Sequence, residues 1–193
     1  MFTDAIFAIA ITLLVIEIRR PAGDELASAA SLWRFLGRES GSLVAFVVAF
    51  VMLWFVWRAH HRLFDQVERL SQRVLLLHIP LLLFAAFLPY SSSVFGKAAG
   101  NPLAICLFAG TEAVLLLCQA ALVGVALRQR ILQPDADLAR LSTTALVNLA
   151  IGGFWAVTAA LAFWVPGTVP LLWLATPVVT VSSARLARRL RRP

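Results

Sequence analysis

The chain has 193 residues, of which 61% are hydrophobic and only 14% charged, with a mean hydropathy of +0.86; a soluble domain carries about 25% charge. That composition excludes an ordinary soluble domain. It also turns the net charge of +7 from a hint of nucleic acid into a property of membrane edges. A spanning helix needs roughly 20 mostly apolar residues, because the hydrocarbon core is about 30 Å thick and each residue rises about 1.5 Å. Six stretches qualify: 1–18, 41–57, 74–96, 101–127, 141–165 and 168–184. They leave room only for short loops. The expected fold is an all-α integral membrane protein, a single six-helix transmembrane domain over 1–193 in a lipid bilayer.

Span 1 holds Asp4 and Glu17 near its ends and an uncharged run between them, Ala5 to Ile16. A secretory leader has a basic start and a small-residue cleavage site, whereas this start is acidic and Arg19-Arg20-Pro21 follows, so it reads as a span. At about 100° per residue, Ile9, Leu13 and Ile16 lie within about 60° of one another, with Thr12 at one margin and Ile6 and Phe2 at the other. Asp4 falls about 140° from Ile9, on the opposite face, and should point into the body of the protein. Periodicity alone leaves two readings open: a helix buried on all sides, or one with an aliphatic face put to use.

Span 2 ends in Trp57-Arg58-Ala59-His60-His61-Arg62-Leu63-Phe64, with Trp57 and His60 one turn apart on a shared face. Trp and Arg commonly anchor helix ends at the interface. If the ends of spans 1 and 2 meet on one side, a histidine here, His60 above all, supplies the partner Asp4 requires. Span 3 carries only His78 and span 4 only Glu112, which has Thr111 beside it. Such intramembrane groups are costly and therefore functional candidates. Cys106 and Cys118, also in span 4, show no metal or disulfide spacing. Asn148 and Gly152-Gly153 in span 5 read as close helix packing with an interhelical hydrogen bond. Pro80, Pro170 and Pro177 are expected to kink spans 3 and 6.

The basic residues set an orientation. Arg58, Arg62, Arg69 and Arg73 after span 2, Arg128, Arg130 and Arg140 after span 4, and Arg185, Arg188, Arg189, Arg191 and Arg192 in the tail make up 12 of the 17. Both termini should therefore face the cytoplasm. The first connection is the exception, setting Arg19, Arg20, Arg34 and Arg38 against Asp24, Glu25 and Glu39. No Gly-rich phosphate loop, zinc-protease helix, nucleophile elbow or paired-carboxylate spacing appears, so an enzyme is not expected.

The run Phe2-Thr3-Asp4-Ala5-Ile6-Phe7-Ala8-Ile9-Ala10-Ile11-Thr12-Leu13-Leu14 resembles the signature opening the transmembrane protein 175 family of potassium channels, Phe-Ser-Asp running into Ile, Ala, Thr and Leu. The segment from Trp57 to Phe64 is similar to that family's second-helix ending, and Leu75 through Pro89 to its third helix. With six spans per repeat, the resemblance covers essentially the whole chain. It implies a single-repeat bacterial type: a homotetramer in the inner (plasma) membrane, whose first helices surround a central pore that passes K+ passively. It places the constriction at Ile9, Leu13 and Ile16 farther along the pore, and Thr12 at the potassium-favouring polar layer. It further implies that Phe2, Thr3, Asp4, Trp57, His60 and His78 form a network supporting the pore helix. No cofactor is expected, no metal beyond transient K+, and no nucleic acid. Three departures stand out: Thr3 replaces the usual serine, the basic residue that lies a few positions before the motif in the family has no counterpart here, and His78 replaces an expected asparagine, which makes the network sensitive to pH.

The rival reading is a proton-coupled secondary transporter or proton leak pathway using Glu112 and His78 as coupled titrating groups. The lack of an inverted repeat counts against it. A purely structural protein would explain the helices but not the aliphatic face of span 1.

Overall fold

In the computed structural model, which describes residues 2–189, the chain is built almost entirely of helices. They are α1 (Phe2–Ile16), α2 (Ala29–Arg38), α3 (Ser40–Phe64), α4 (Gln72–Lys97), α5 (Pro102–Gln129), α6 (Leu138–Leu161), α7 (Val169–Leu172) and α8 (Thr176–Arg189). Lipid offers the backbone no partners, so its amides must bond within helices. Starts are marked by side chains that accept from free N–H groups. Ser71 accepts from Val74 N, Asn101 from Leu103 N ahead of Pro102, and Asp137 from Arg140 N.

Five of the described helical segments are long and apolar enough to cross a membrane: Ser40–Phe64, Gln72–Lys97, Pro102–Gln129, Leu138–Leu161 and Val169–Arg189. The first predicted span ends two residues earlier than expected, its helix stopping at Ile16. Beyond it, Arg19 donates to Glu25 at 2.7 Å and to Glu39 at 3.0 Å, and stands 4.5 Å over the Phe35 ring. Arg38 reaches Glu25 at 2.9 Å. The mixed charges of the first connection thus pair with one another around α2, an amphipathic helix that was not anticipated and that leaves Trp33 exposed.

The prolines of the last span do not kink a continuous helix. Pro170 opens α7, Pro177 lies in the first turn of α8, and a 3-10 turn, Trp173–Ala175, joins the two. Pro80 lies inside α4 as expected, together with Pro89. Arg185, Arg188 and Arg189 ride on α8, whereas Arg191 and Arg192 lie outside the described residues.

At the centre, α5 packs between α4 and α6, while α1 lies on α4 and α3 and α8 on α6. An aromatic cluster pins the broken last span. Trp155 stacks on Trp173 at 4.7 Å, Phe108 and Phe95 flank them, and the Trp173 indole donates to Thr158 Oγ1 at 3.1 Å. The connections after α3 and α5 are tied together. Gln133 N donates to Gln66 O, Glu68 N to Ile131 O and Asp137 N to Gln66 Oε1, each at 2.9 Å, which places both connections on one side of the bundle.

The start of α3 crosses the end of α4 at backbone contact. A Cβ on Gly41 would meet Gly96 O at 2.7 Å, and one on Gly96 would meet Ser42 Cα at 2.7 Å. Backbone cannot yield as a flexible side chain does, so Gly96→Ala should destabilise the protein by about 1–3 kcal/mol, seen as a lower unfolding temperature in detergent. An unchanged temperature would mean the two helices do not touch here.

In the first connection, Arg19 foremost holds the Glu25 carboxyl below its ordinary value of 4.5. A lowered carboxyl stabilises the fold above its unfolded value and loses that effect as pH falls through the lower folded one. Hydrogen-exchange protection in 19–39, relative to the unstructured rate at each pH, should therefore be high at neutral pH and fall at acidic pH below the Glu25 titration, and the Glu25→Gln variant should be weakly protected at both.

Candidate functional site

The two faces of α1 differ sharply. Phe7, Ala10 and Leu14 recur at helical spacing and are buried, turned toward α4 and α3. On the other side Ile9 is 58% exposed, Leu13 40% and Ile16 57%, with Phe2 and Thr12 also exposed. Within a single chain, this face of span 1 is left uncovered by the other helices. The Thr12 hydroxyl donates to Ile9 O at 2.8 Å, so its hydrogen is engaged and the lone pairs of its oxygen stay available.

Polar pairs hold the N-terminal end of α1. The Trp57 indole donates to Asp4 Oδ1 at 3.1 Å, and His61 Nδ1 lies 3.7 Å from the same oxygen while its ring stacks on Trp57. The expectation that His60 would partner Asp4 is corrected: adjacent residues on a helix point about 100° apart, and the one directed toward Asp4 is His61. His60 is buried, touches Phe7 of α1 and bonds to α4, its Nε2 lying 3.1 Å from Nε2 of His78.

The tautomers follow from the far side of His78. Its Nδ1 is 2.7 Å from Val74 O, and a carbonyl only accepts, so Nδ1 donates. In the neutral ring Nε2 is then the acceptor, and His60 Nε2–H donates to it. The expected single network is thus two pairs, Trp57 with Asp4 and His60 with His78, and Phe2 and Thr3 belong to neither. Phe64 stacks on His60 at 4.4 Å and closes the second pair from below.

Glu112 is fully buried on α5, and among the described residues neither of its carboxyl oxygens has a hydrogen-bond partner. Sequence reasoning missed Gln119, which is equally buried and equally unpartnered seven residues on, along the same face. The available signal was an amide in an uncharged span, two turns from a carboxyl. Among the described residues no group of His, Cys, Asp and Glu could hold a metal ion, and Cys106 and Cys118 are free thiols.

The family model for the endosomal/lysosomal potassium channel TMEM175 matches residues 1–89, the stretch that carries α1, α2, α3 and both polar pairs. The solved structure of a lysosomal potassium-selective channel TMEM175 homolog from Chamaesiphon minutus superposes with a TM-score of 0.71 at 25% identity, covering 99% of this chain and 95% of that one. The chain is thus similar to TMEM175 channels, in sequence over residues 1–89 and in fold along its length. A potassium channel of Streptomyces collinus is 33% identical over 96 residues, 50% of this chain and 45% of that protein. The human endosomal/lysosomal proton channel TMEM175 is 27% identical over 126 residues, 65% of this chain and 24% of that protein. The chain spans about half the length of the curated bacterial relatives it matches. The family model's match thus lies in the first half, while α5 to α8 share the fold of the Chamaesiphon minutus structure.

Replacing His78 by Phe would leave the buried His60 N–H without an acceptor, at a cost of about 1–3 kcal/mol. His78→Phe should therefore lower the unfolding temperature in detergent, and His78→Asn, whose amide oxygen can accept, should recover part of the loss. Equal stability of all three proteins would show that the pair holds nothing.

Proposed function

We propose that four copies of this chain form a potassium channel, with the α1 faces bearing Ile9, Leu13 and Ile16 turned toward a shared axis. The supporting observation is that exposed aliphatic face on a helix whose opposite face is buried and whose end is polar-paired. The bacterial relatives named potassium channels support the same reading.

A ring of Ile9 side chains offers an ion no ligands, so passage requires shedding water at an apolar constriction, and flux is correspondingly modest. One turn along, Thr12 presents hydroxyl oxygens whose hydrogens are directed to the backbone, which leaves lone pairs for a partly dehydrated cation. Flux is passive, with no covalent step. The protein sits in a bacterial inner membrane with both termini cytoplasmic, as the arginines after α3 and α5 and on α8 favour.

A second reading, a proton pathway, draws on Glu112, a buried carboxyl without a partner among the described residues, and on the vertebrate relatives named proton channels. Channel and proton path are separable in planar bilayers. Ile9→Asn should hydrate the constriction, raise conductance and lower the preference for potassium over sodium; an unchanged current and reversal potential would remove Ile9 from the path. Glu112→Gln keeps shape and hydrogen-bonding capacity while abolishing titration, and potassium current should survive it. Loss of a proton current in that variant would establish the second reading.

A further inference from the structure

A cavity of about 840 Å³ opens between α3, α6 and the broken last span, remote from the Ile9 face of α1. One wall is a row of valines on α3, Val44, Val47 and Val51, ending at Arg58 and Arg62, and Arg140 of α6 faces that end. Among the described residues, the lining holds these three guanidinium groups and no carboxylate, and none of the three is in an ion pair. This contrasts with the first connection, where Arg19 and Arg38 both find carboxylates. A smaller cavity at the same end is again lined by Arg62 and Arg140.

Asn148, Trp155 and Thr176 line the larger cavity, and Asn148 Nδ2, Trp155 Nε1 and Thr176 Oγ1 are buried atoms without hydrogen-bond partners. Asn148 is 9% exposed and Trp155 1%. From Arg58 to Val44 the apolar wall runs about 21 Å at roughly 1.5 Å per residue, enough for an acyl chain crossing one leaflet, about half of a 30 Å core.

We propose that this groove binds an anionic phospholipid, its phosphate held by Arg58, Arg62 and Arg140 and one acyl chain lying along the valine wall. Guanidinium forks match phosphate oxygens in pairs, which favours an anionic headgroup over any neutral one. The arginines and the valines make one site only for a molecule that is anionic at one end and long and apolar at the other. The site stands independently of the conduction reading.

The test uses detergent-solubilised protein, dioleoylphosphatidylglycerol as probe, dioleoylphosphatidylcholine as the neutral-headgroup control and glycerol phosphate as the chainless one. Native mass spectrometry of the unmodified protein should show phosphatidylglycerol adducts surviving at lower concentration than phosphatidylcholine adducts. Phosphatidylglycerol should also raise the unfolding temperature more than either control. The double variant Arg62→Gln, Arg140→Gln should weaken phosphatidylglycerol binding about tenfold or more, the scale of one lost charge-assisted bond. Arg69→Gln, outside the groove, should not weaken it, and Val51→Trp, which fills the chain-binding wall, should reduce binding of both lipids. Equal retention of the two lipids by the unmodified protein would overturn the proposal, as would an equal stabilisation by glycerol phosphate. Oxidative cross-linking of two copies through Val51→Cys, absent in the unmodified protein, would put a neighbouring subunit in the groove and also overturn it.

Discussion

The rotation of α1 about its own axis is the constraint on which the functional reading depends, and hydrophobicity cannot set it. In lipid, an aliphatic side chain is nearly as well placed against acyl chains as against protein, so a helix of Ile, Leu and Ala has no preferred face on that ground. What sets the rotation is polar and steric. Asp4 is bonded to Trp57 of α3, and Phe7 packs beside His60, which is itself fixed by His78 of α4. With that edge anchored, the helical period alone turns Ile9, Leu13 and Ile16 away from α3 and α4.

The rest of the bundle keeps that anchorage rigid. The backbone approach of Gly41 and Gly96 ties α3 to α4 at the end opposite the histidine pair, so the two helices that hold α1 are joined at both ends. Behind them α5 is the most buried helix, and the aromatic stack of Phe95, Phe108, Trp155 and Trp173 joins α4, α5 and α6 to the broken last span. A helix interrupted at Pro170 and Pro177 would otherwise expose loosened turns, and Trp173, bonded to Thr158, fills that break.

Much of this was legible in the sequence, and what was not has physical causes. Length and hydropathy place five of the six spans, but with ends off by up to seven residues, as where α3 runs on to Phe64 past the predicted end at 57. The early end of α1 at Ile16 could not be read from the sequence, because it comes where Arg19 is drawn into ion pairs with Glu25 and Glu39, contacts between distant positions. The outward turn of Ile9, Leu13 and Ile16 followed from the 3.6-residue period, but their exposure did not, since period reports grouping and not burial. The choice of His61 over His60 beside Asp4 was beyond a helical wheel drawn for one helix, because it depends on how α1 and α3 are rotated against each other. Gly41 and Gly96 were invisible for a similar reason: a close crossing requires two glycines that are 55 positions apart to meet.

The charges divide the two ends of the molecule by pairing as much as by number. At one end Arg19 and Arg38 face Glu25 and Glu39, so the first connection holds several cations yet presents little uncompensated charge. At the other end Arg58, Arg62 and Arg140 lie outside any ion pair among the described residues, and the tied connections after α3 and α5 bring them to one rim. A count of basic residues treats these two groups alike, but the electrostatic field does not. Unpaired guanidinium groups at the membrane edge interact with lipid phosphates, whereas paired ones have already found their anions.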